Sequence, residues 1–126
     1  MSNNLHLDIK IMDDTHSEFL ELLAKIKVCE DADFLPLFKK IIEHTRGHFS
    51  LEEGIMEKYN FNEAQVHIDE HKRLLGEMEY FYTNALKLPV FGESYIKYYA
   101  YDKFKDHIVT LDTQLATYLK DNNISI

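Results

Sequence analysis

Side chains that commonly bind metals recur along this chain at the spacing of helix faces. Five of its seven histidines and two carboxylates fall into four segments, and each segment has the apolar periodicity of an amphipathic helix. Imidazole and carboxylate together are ligands of iron, zinc and manganese, and seven such groups exceed what one ion uses. We therefore expect a two-metal site in the core of a four-helix bundle. The candidate ligands are His16, His48, Glu52, His67, His71, His107 and Asp112.

Composition predicts a single domain over residues 1–126. The 126 residues are 45% apolar and 29% charged, with only four Gly and two Pro, as is typical of a compact helical protein. The net charge of −8 disfavours nucleic acids and anionic membranes as partners. Cys29 is the single cysteine, and neither a signal-peptide pattern nor a run of about 20 apolar residues occurs. These features predict a cytoplasmic protein.

Apolar periodicity predicts an all-α protein, an antiparallel up-down-up-down four-helix bundle with an extended N-terminal arm. Residues 1–12 are expected to form the arm, and short connections favour antiparallel neighbours. The first helix should run to about Val28. The expected N-terminal caps are Asp13 or Asp14 for the first helix, Asp31 or Asp33 with Pro36 in the first turn for the second, Asn62 for the third and Ser94 for the fourth.

The candidate ligands occupy core-facing positions that usually hold leucine or isoleucine. Burial of a polar side chain there costs a few kcal/mol unless it is compensated, and metal coordination would compensate it. Two pairs are four residues apart and share a helix face: His67 with His71, and His48 with Glu52. His107 and Asp112 are five apart, about 140° around an ideal helix. Either they reach the core from two sides of the apolar stripe, or a local π-bulge narrows the angle.

Other ligand-type residues compete for these roles. His44 also belongs to an HxxxH pair, but Thr45 continues the regular apolar stripe through Ile41 and His48, so we expect His44 to be peripheral. His6 lies outside the predicted helices, and we expect it on the surface. Glu53 and Asp106 are alternative carboxylates whose helical angles point away from the stripe or toward its edge. Each pair alone is a weak signal, because HxxxH and HxxxE also occur in helices that bind no metal. Metal binding is indicated by the joint occurrence of these residues on all four predicted helices.

The motifs and their order resemble those of the hemerythrin family, in particular the single-domain bacterial hemerythrins. The likeness runs from residues 12–16, MDDTH, to residues 107–112, HIVTLD. Residues 48–53, HFSLEE, are similar to the family's HFxxEE motif, residues 67–71 to its HxxxH and residues 107–112 to its HxxxxD. The chain has no tryptophan, whereas bacterial relatives usually carry one in the arm and one just before the last histidine, where Lys103 and Phe104 stand here.

The resemblance implies a pair of irons bridged by an oxo or hydroxo group, with an open coordination position that binds O2. Glu52 and Asp112 would bridge both irons. The second iron, held by fewer histidines, would keep the open position. The implied histidine ligands are His67, His71 and His107 for the first iron, and His16 and His48 for the second.

The sequence favours a binding protein, and not an enzyme, that binds O2 reversibly for storage, delivery or sensing. Sensing would require a separate protein partner. The alternative is a di-iron oxidase, peroxidase or ferroxidase, but such bundles typically use four Glu and two His in Glu-x-x-His motifs. A zinc site is a weaker alternative, because two bridging carboxylates suit a pair of octahedral irons better than one tetrahedral ion.

Overall fold

The computed structural model describes residues 6–126, and every regular element within them is helical. The all-α class predicted from periodicity is thus confirmed for this part of the chain. No helix in residues 6–126 is long and apolar enough to cross a membrane. The elements are α1 (Lys10–Lys27), α2 (Asp31–Lys58), α3 (Ala64–Lys87), α4 (Val90–Tyr98), α5 (Ala100–His107), a π-helical segment (Ile108–Asp112) and α6 (Thr113–Asp121).

The first helix begins earlier than the sequence predicted. Residues 1–5 of the expected arm lie outside the described residues, but residues 10–12 are already helical. Asp13 therefore lies in the first turn, where its Oδ1 accepts a hydrogen bond from the Leu7 backbone N–H at 2.8 Å. Asp14 pairs with Lys10 one turn earlier, Nζ to Oδ2 2.7 Å. Neither aspartate is the cap, although a first-turn carboxylate remains favourable beside the positive end of the helix dipole.

The other expected caps were also wrong. None of the helices within residues 6–126 has a side-chain hydrogen bond at its N-cap. Asp31 is the first residue of α2, so Pro36 falls in the second turn and not the first. Asn62 precedes the cap position of α3, and Ser94 lies inside α4. Helix stability in proteins comes mostly from packing of an apolar face, so capping residues alone are a weak guide to these starts.

Two apolar clusters fill the interior, and most of the candidate ligands lie between them along the chain. On α1, for example, His16 separates Met12 of the second cluster from Phe19 of the first. Helix α2 packs against both α1 and α3, and α3 packs against α4. The polar side chains are therefore enclosed by apolar packing before and after them. Representative members are Phe19, Phe38, Ile41 and Met78 for the first cluster, and Met12, Met56, Leu115 and Leu119 for the second.

Helix α4 approaches α3 closely at Gly92. A Cβ atom at this position would lie 2.7 Å from the Ala85 Cβ and 3.0 Å from a ring carbon of Phe38. Contacts this short force neighbours to move. The absent side chain therefore allows α4 to close over the first apolar cluster.

Candidate metal centre

The structure brings all seven candidate ligands into one buried cluster. They come from α1, α2, α3, α5 and the π-helical segment, and each is at most 8% exposed. With Thr45 they make up the buried polar residues found in the described chain. Burying ionisable groups costs several kcal/mol each unless they are paired or bind a metal. Interactions among these groups, or with a bound metal, therefore have to offset the free-energy cost of their burial.

The cluster divides into two groups, and within each group the ligand atoms all lie within 4.8 Å of one another. Glu52 and Asp112 belong to both groups. This is the division that the family resemblance implied, while coordination of metal by these residues stays a prediction. The histidines of the first group are His67, His71 and His107, and those of the second are His16 and His48.

Asp112 turns one carboxylate oxygen toward each group. Its Oδ2 lies 2.9 Å from His16 Nε2. Its Oδ1 lies 3.0 Å from His67 Nε2 and 3.1 Å from His107 Nε2. The side chain is fully buried, at 0% exposure, so bulk water does not reach these oxygens. The carboxylate thus spans the two groups.

Glu52 spans the groups in the same way from α2. Its Oε2 lies 2.8 Å from His48 Nε2, one helical turn earlier. Its Oε1 lies 3.1 Å from His71 Nε2 and 3.2 Å from His67 Nε2. The four-residue spacings predicted to share a face therefore do so on both α2 and α3.

The π-helical segment explains how His107 and Asp112 meet. A π-helix forms i→i+5 hydrogen bonds, and here the Thr113 N–H donates to the Ile108 carbonyl. His107 Nε2 and Asp112 Oδ1 are consequently 3.1 Å apart. Of the two arrangements that the sequence allowed, the structure has the π-bulge. Helical periodicity places Leu111 on the apolar stripe with Ile108 and Leu115, but the same shift leaves it only half-buried.

The spacing of nitrogen and oxygen atoms fits shared cations. Two ligands about 2.0–2.1 Å from one ion and at right angles are about 3 Å apart, and the distances across this cluster run from 2.8 to 3.2 Å. His67 Nε2 faces an oxygen of each carboxylate, and a single N–H cannot donate fully to both. His107 Nε2 has no hydrogen-bond partner among the described residues. A lone pair directed at a cation accounts for both nitrogens.

The carboxylates and histidines shift one another's protonation. Burial and Asp112 raise the pKa of Glu52, but hydrogen bonds with three histidines outweigh them and lower it to about 2. Burial raises the pKa of Asp112 too, yet its histidine contacts hold it well below its usual range. Burial lowers the pKa of His67, and the two carboxylates more than reverse this, raising it to about 9. Metal binding at this cluster must therefore displace protons.

Glu53 supports the cluster from outside. Its Oε2 accepts a hydrogen bond from His71 Nδ1 at 2.8 Å, which orients the ring so that Nε2 faces Glu52. Such carboxylate–histidine contacts fix the tautomer of a ligating imidazole and raise its basicity. From the sequence alone, Glu53 is only an alternative to Glu52. The signal that could have found it is the second glutamate of the HFSLEE string.

A small cavity of about 30 Å³ adjoins the cluster. His48, His107 and Asp112 line it, so both groups face this space. By the same measure a water molecule needs about 10–15 Å³, and the cavity therefore has room for one molecule of two or three atoms. Most of the remaining wall is apolar, formed by Phe19, Phe49, Leu74, Met78, Ala100 and Phe104.

The rival residues lie outside both groups. The His44 side chain is 19% exposed, and its Nε2 lies 3.2 Å from the Thr15 carbonyl oxygen. The His6 side chain is 60% exposed and lies beside Asp8 on the surface. Asp106 is exposed on α5. The structure therefore separates these three from the cluster, as we expected from the sequence.

Comparison with known proteins identifies the family. The family model described as Hemerythrin HHE cation binding domain matches residues 7–119, a range that includes every candidate ligand. The chain belongs to the hemerythrin family. A Bacteriohemerythrin of Ralstonia nicotianae is 33% identical over 75 residues, covering 60% of this chain and 55% of that protein. The match thus spans about half the length of the curated relative. No solved structure matches the chain.

A hemerythrin domain implies iron binding, and the cluster of histidines and carboxylates is able to hold metal. This hemerythrin fills the space beside its cluster without tryptophan. Phe104 stacks on Phe19 with ring centroids 4.1 Å apart and meets the His16 ring edge-on at 5.7 Å. Leu7, ahead of α1, is 8% exposed and packs in the second apolar cluster. Phenylalanine and leucine thus supply apolar cover near both regions where the family resemblance led us to expect tryptophan.

Proposed function

We propose that this hemerythrin holds two irons and binds O2 reversibly, as a binding protein and not an enzyme. The observation that carries the proposal is the sharing of two carboxylates, each with one oxygen toward each histidine group. One ion would leave one oxygen of each carboxylate without a cation. Two ions would use all four oxygens, and Glu52 and Asp112 would then help to hold both irons.

The two groups differ in their number of candidate ligands, which supports a free coordination position at one of the two irons. The group with His67, His71 and His107 offers five side chains with the shared carboxylates, and the group with His16 and His48 offers four. The second group therefore has the more open coordination. When bound, a pair of ferrous ions supplies the electrons and that coordination position for O2.

The surroundings of the cluster favour binding over turnover. The adjoining cavity is small and largely apolar, so it admits a small uncharged molecule and limits access of water and protons. The histidine-rich cluster also differs from the glutamate-rich di-iron sites typical of ferritin-like bundles. O2 is the partner that this chemistry fits, for storage, delivery or sensing.

We also infer that the helices run in up-down-up-down order. The order of the two apolar clusters alternates along successive helices, which supports this topology. On α1 the chain passes from Met12 of the second cluster to Leu23 of the first, and on α2 from Phe38 of the first to Met56 of the second. A bundle whose successive helices run in opposite directions produces this pattern, and short connections favour such a bundle.

Optical titration tests the proposed function. The iron-loaded protein is reduced under argon, exposed to O2 and returned to argon, and its visible absorption is recorded over several cycles. We expect a band that appears with O2 and disappears when O2 is removed, and no band in zinc-loaded protein. A ferric spectrum that persists after the first exposure, or continuous O2 consumption with an added reductant, would contradict reversible binding.

A further inference from the structure

Thr45 is the one buried polar residue of the described chain that lies outside the two groups of candidate ligands. It is 5% exposed, and its hydroxyl has no hydrogen-bond partner among residues 6–126. Threonine in a helix usually bonds to the carbonyl four residues back. Thr15 and Thr110 do this here, each with an oxygen-to-oxygen distance of 2.6 Å. Thr45 differs from both.

The Thr45 side chain lines the cavity beside the cluster. It lies three residues before His48 on α2 and so shares a helix face with that candidate ligand. The cavity wall thus contains candidate ligands, apolar side chains, this hydroxyl and the polar groups of His44, Tyr95 and Lys103. A molecule of two or three atoms between the cluster and α2 would have Thr45 beside it.

Two other polar side chains of the cavity wall are already engaged. His44 Nε2 lies 3.2 Å from the Thr15 carbonyl oxygen. Lys103 Nζ donates to Glu77 Oε2 at 3.3 Å. The Thr45 hydroxyl, by contrast, carries an unused donor in a largely apolar space, where a hydrogen bond to a polarised acceptor is strong.

We propose that the Thr45 hydroxyl donates a hydrogen bond to the small ligand in this cavity and slows its release. The ligand class is a molecule of two or three atoms with nitrogen or oxygen at its free end, and O2 as that ligand rests on the proposed function. Azide, a linear three-atom ligand with nitrogen at its free end, belongs to this class, so it probes the hydroxyl whether or not O2 binds reversibly. Thr45 is then a ligand-contacting residue that sets affinity, separate from the groups that hold metal.

Two substitutions at this position distinguish the effect of the hydroxyl group from the effect of side-chain volume. Thr45→Val keeps the shape and removes the donor, and Thr45→Ser keeps the donor. In iron-loaded full-length protein we expect Thr45→Val to weaken azide binding and to speed O2 release, each by about tenfold or more, with Thr45→Ser within about threefold of wild type. If Thr45→Val does not load iron, Thr45→Ala also removes the donor and makes the comparison with a smaller side chain.

Thermal unfolding of the iron-loaded, O2-free protein provides a readout that does not depend on ligand binding. Because the Thr45 hydroxyl makes no bond within the described chain, we expect Thr45→Val to keep or raise the midpoint. A lower midpoint with unchanged azide affinity and O2 release would show that the hydroxyl supports the helix, and would overturn the inference. Reversible O2 binding with unaltered rates in Thr45→Val would overturn it too and leave the proposed function intact. Failure of O2 binding in wild type, with weaker azide binding in Thr45→Val, would reject only the proposed function.

Discussion

Replacing Asp112 by asparagine tests the sharing of one carboxylate between two ions. The substitution preserves shape and removes the negative charge and one of the two oxygens. Asp112 is 0% exposed, and its oxygens lie 2.9–3.1 Å from three imidazole nitrogens. A single amide oxygen can serve at most one ion. The group with His16 would then be left with the fewest ligands, so its iron should be lost first.

The size of the effect on stability follows from burial. Removing one partner from a buried, charged network costs about 3–5 kcal/mol. For a chain of 126 residues, unfolding entropies typical of globular proteins convert this to a fall of about 10–20 °C in the midpoint. Iron-free Asp112→Asn should therefore be clearly less stable than iron-free wild type. In the iron-loaded protein, weaker metal binding should lower the stability of Asp112→Asn further.

The assay is iron analysis after anaerobic loading and gel filtration, with a thermal unfolding curve on the same samples. We expect about two irons per chain in wild type and about one or fewer in Asp112→Asn. Asp106→Asn is the matched control, because Asp106 is exposed on the preceding helix and should retain both irons and the wild-type midpoint. Full iron occupancy and normal O2 binding in Asp112→Asn would refute the shared-carboxylate argument.

Three further predictions concern the ligands, their support and the packing. His71→Ala should lower iron occupancy and stability, whereas His44→Ala should leave iron content unchanged; the reverse pattern in metal analysis would show that α2 and α3 are wrongly assigned. Glu53→Gln should weaken iron affinity by about 10–100-fold, because the His71 ring loses its carboxylate partner; competition with a chelator measures this, and an unaltered affinity would contradict it. Gly92→Ala should destabilise the protein by about 1–3 kcal/mol, because the added Cβ would overlap its neighbours. Gly47→Ala, with open space around the Cβ, should stabilise by up to about 1 kcal/mol, and equal denaturation midpoints for the two variants would count against this packing.

Helix faces were predictable from the sequence because they depend on periodicity alone. On α1 the periodicity predicts an apolar stripe of Met12, His16, Phe19, Leu23 and Ile26, and the structure buries the same five residues. Helix starts were less predictable. Asp13 has the side chain of a cap but bonds to the backbone of Leu7 from within the first turn, and residues 1–5 of the expected arm lie outside the described structure.

The parts of the candidate cluster that depend only on regular helix geometry were predictable from the sequence. His67 and His71 meet because they are four apart on a helix, and this needs no knowledge of the fold. The approach of Asp112 to His107 depends on a π-helical segment, which an ideal helix cannot represent. The roles suggested for Glu53 and Thr45 depend on which neighbours face them across the bundle, and a single sequence contains no such distances.

Crystals of the iron-loaded protein, measured on both sides of the iron absorption edge, would show whether two irons share the two carboxylates. We expect two anomalous peaks per chain, each within coordination distance of one oxygen of Glu52 and one of Asp112. The first peak should also contact His67, His71 and His107, and the second His16 and His48. A single peak, or two peaks that share neither carboxylate, would contradict the paired-metal centre.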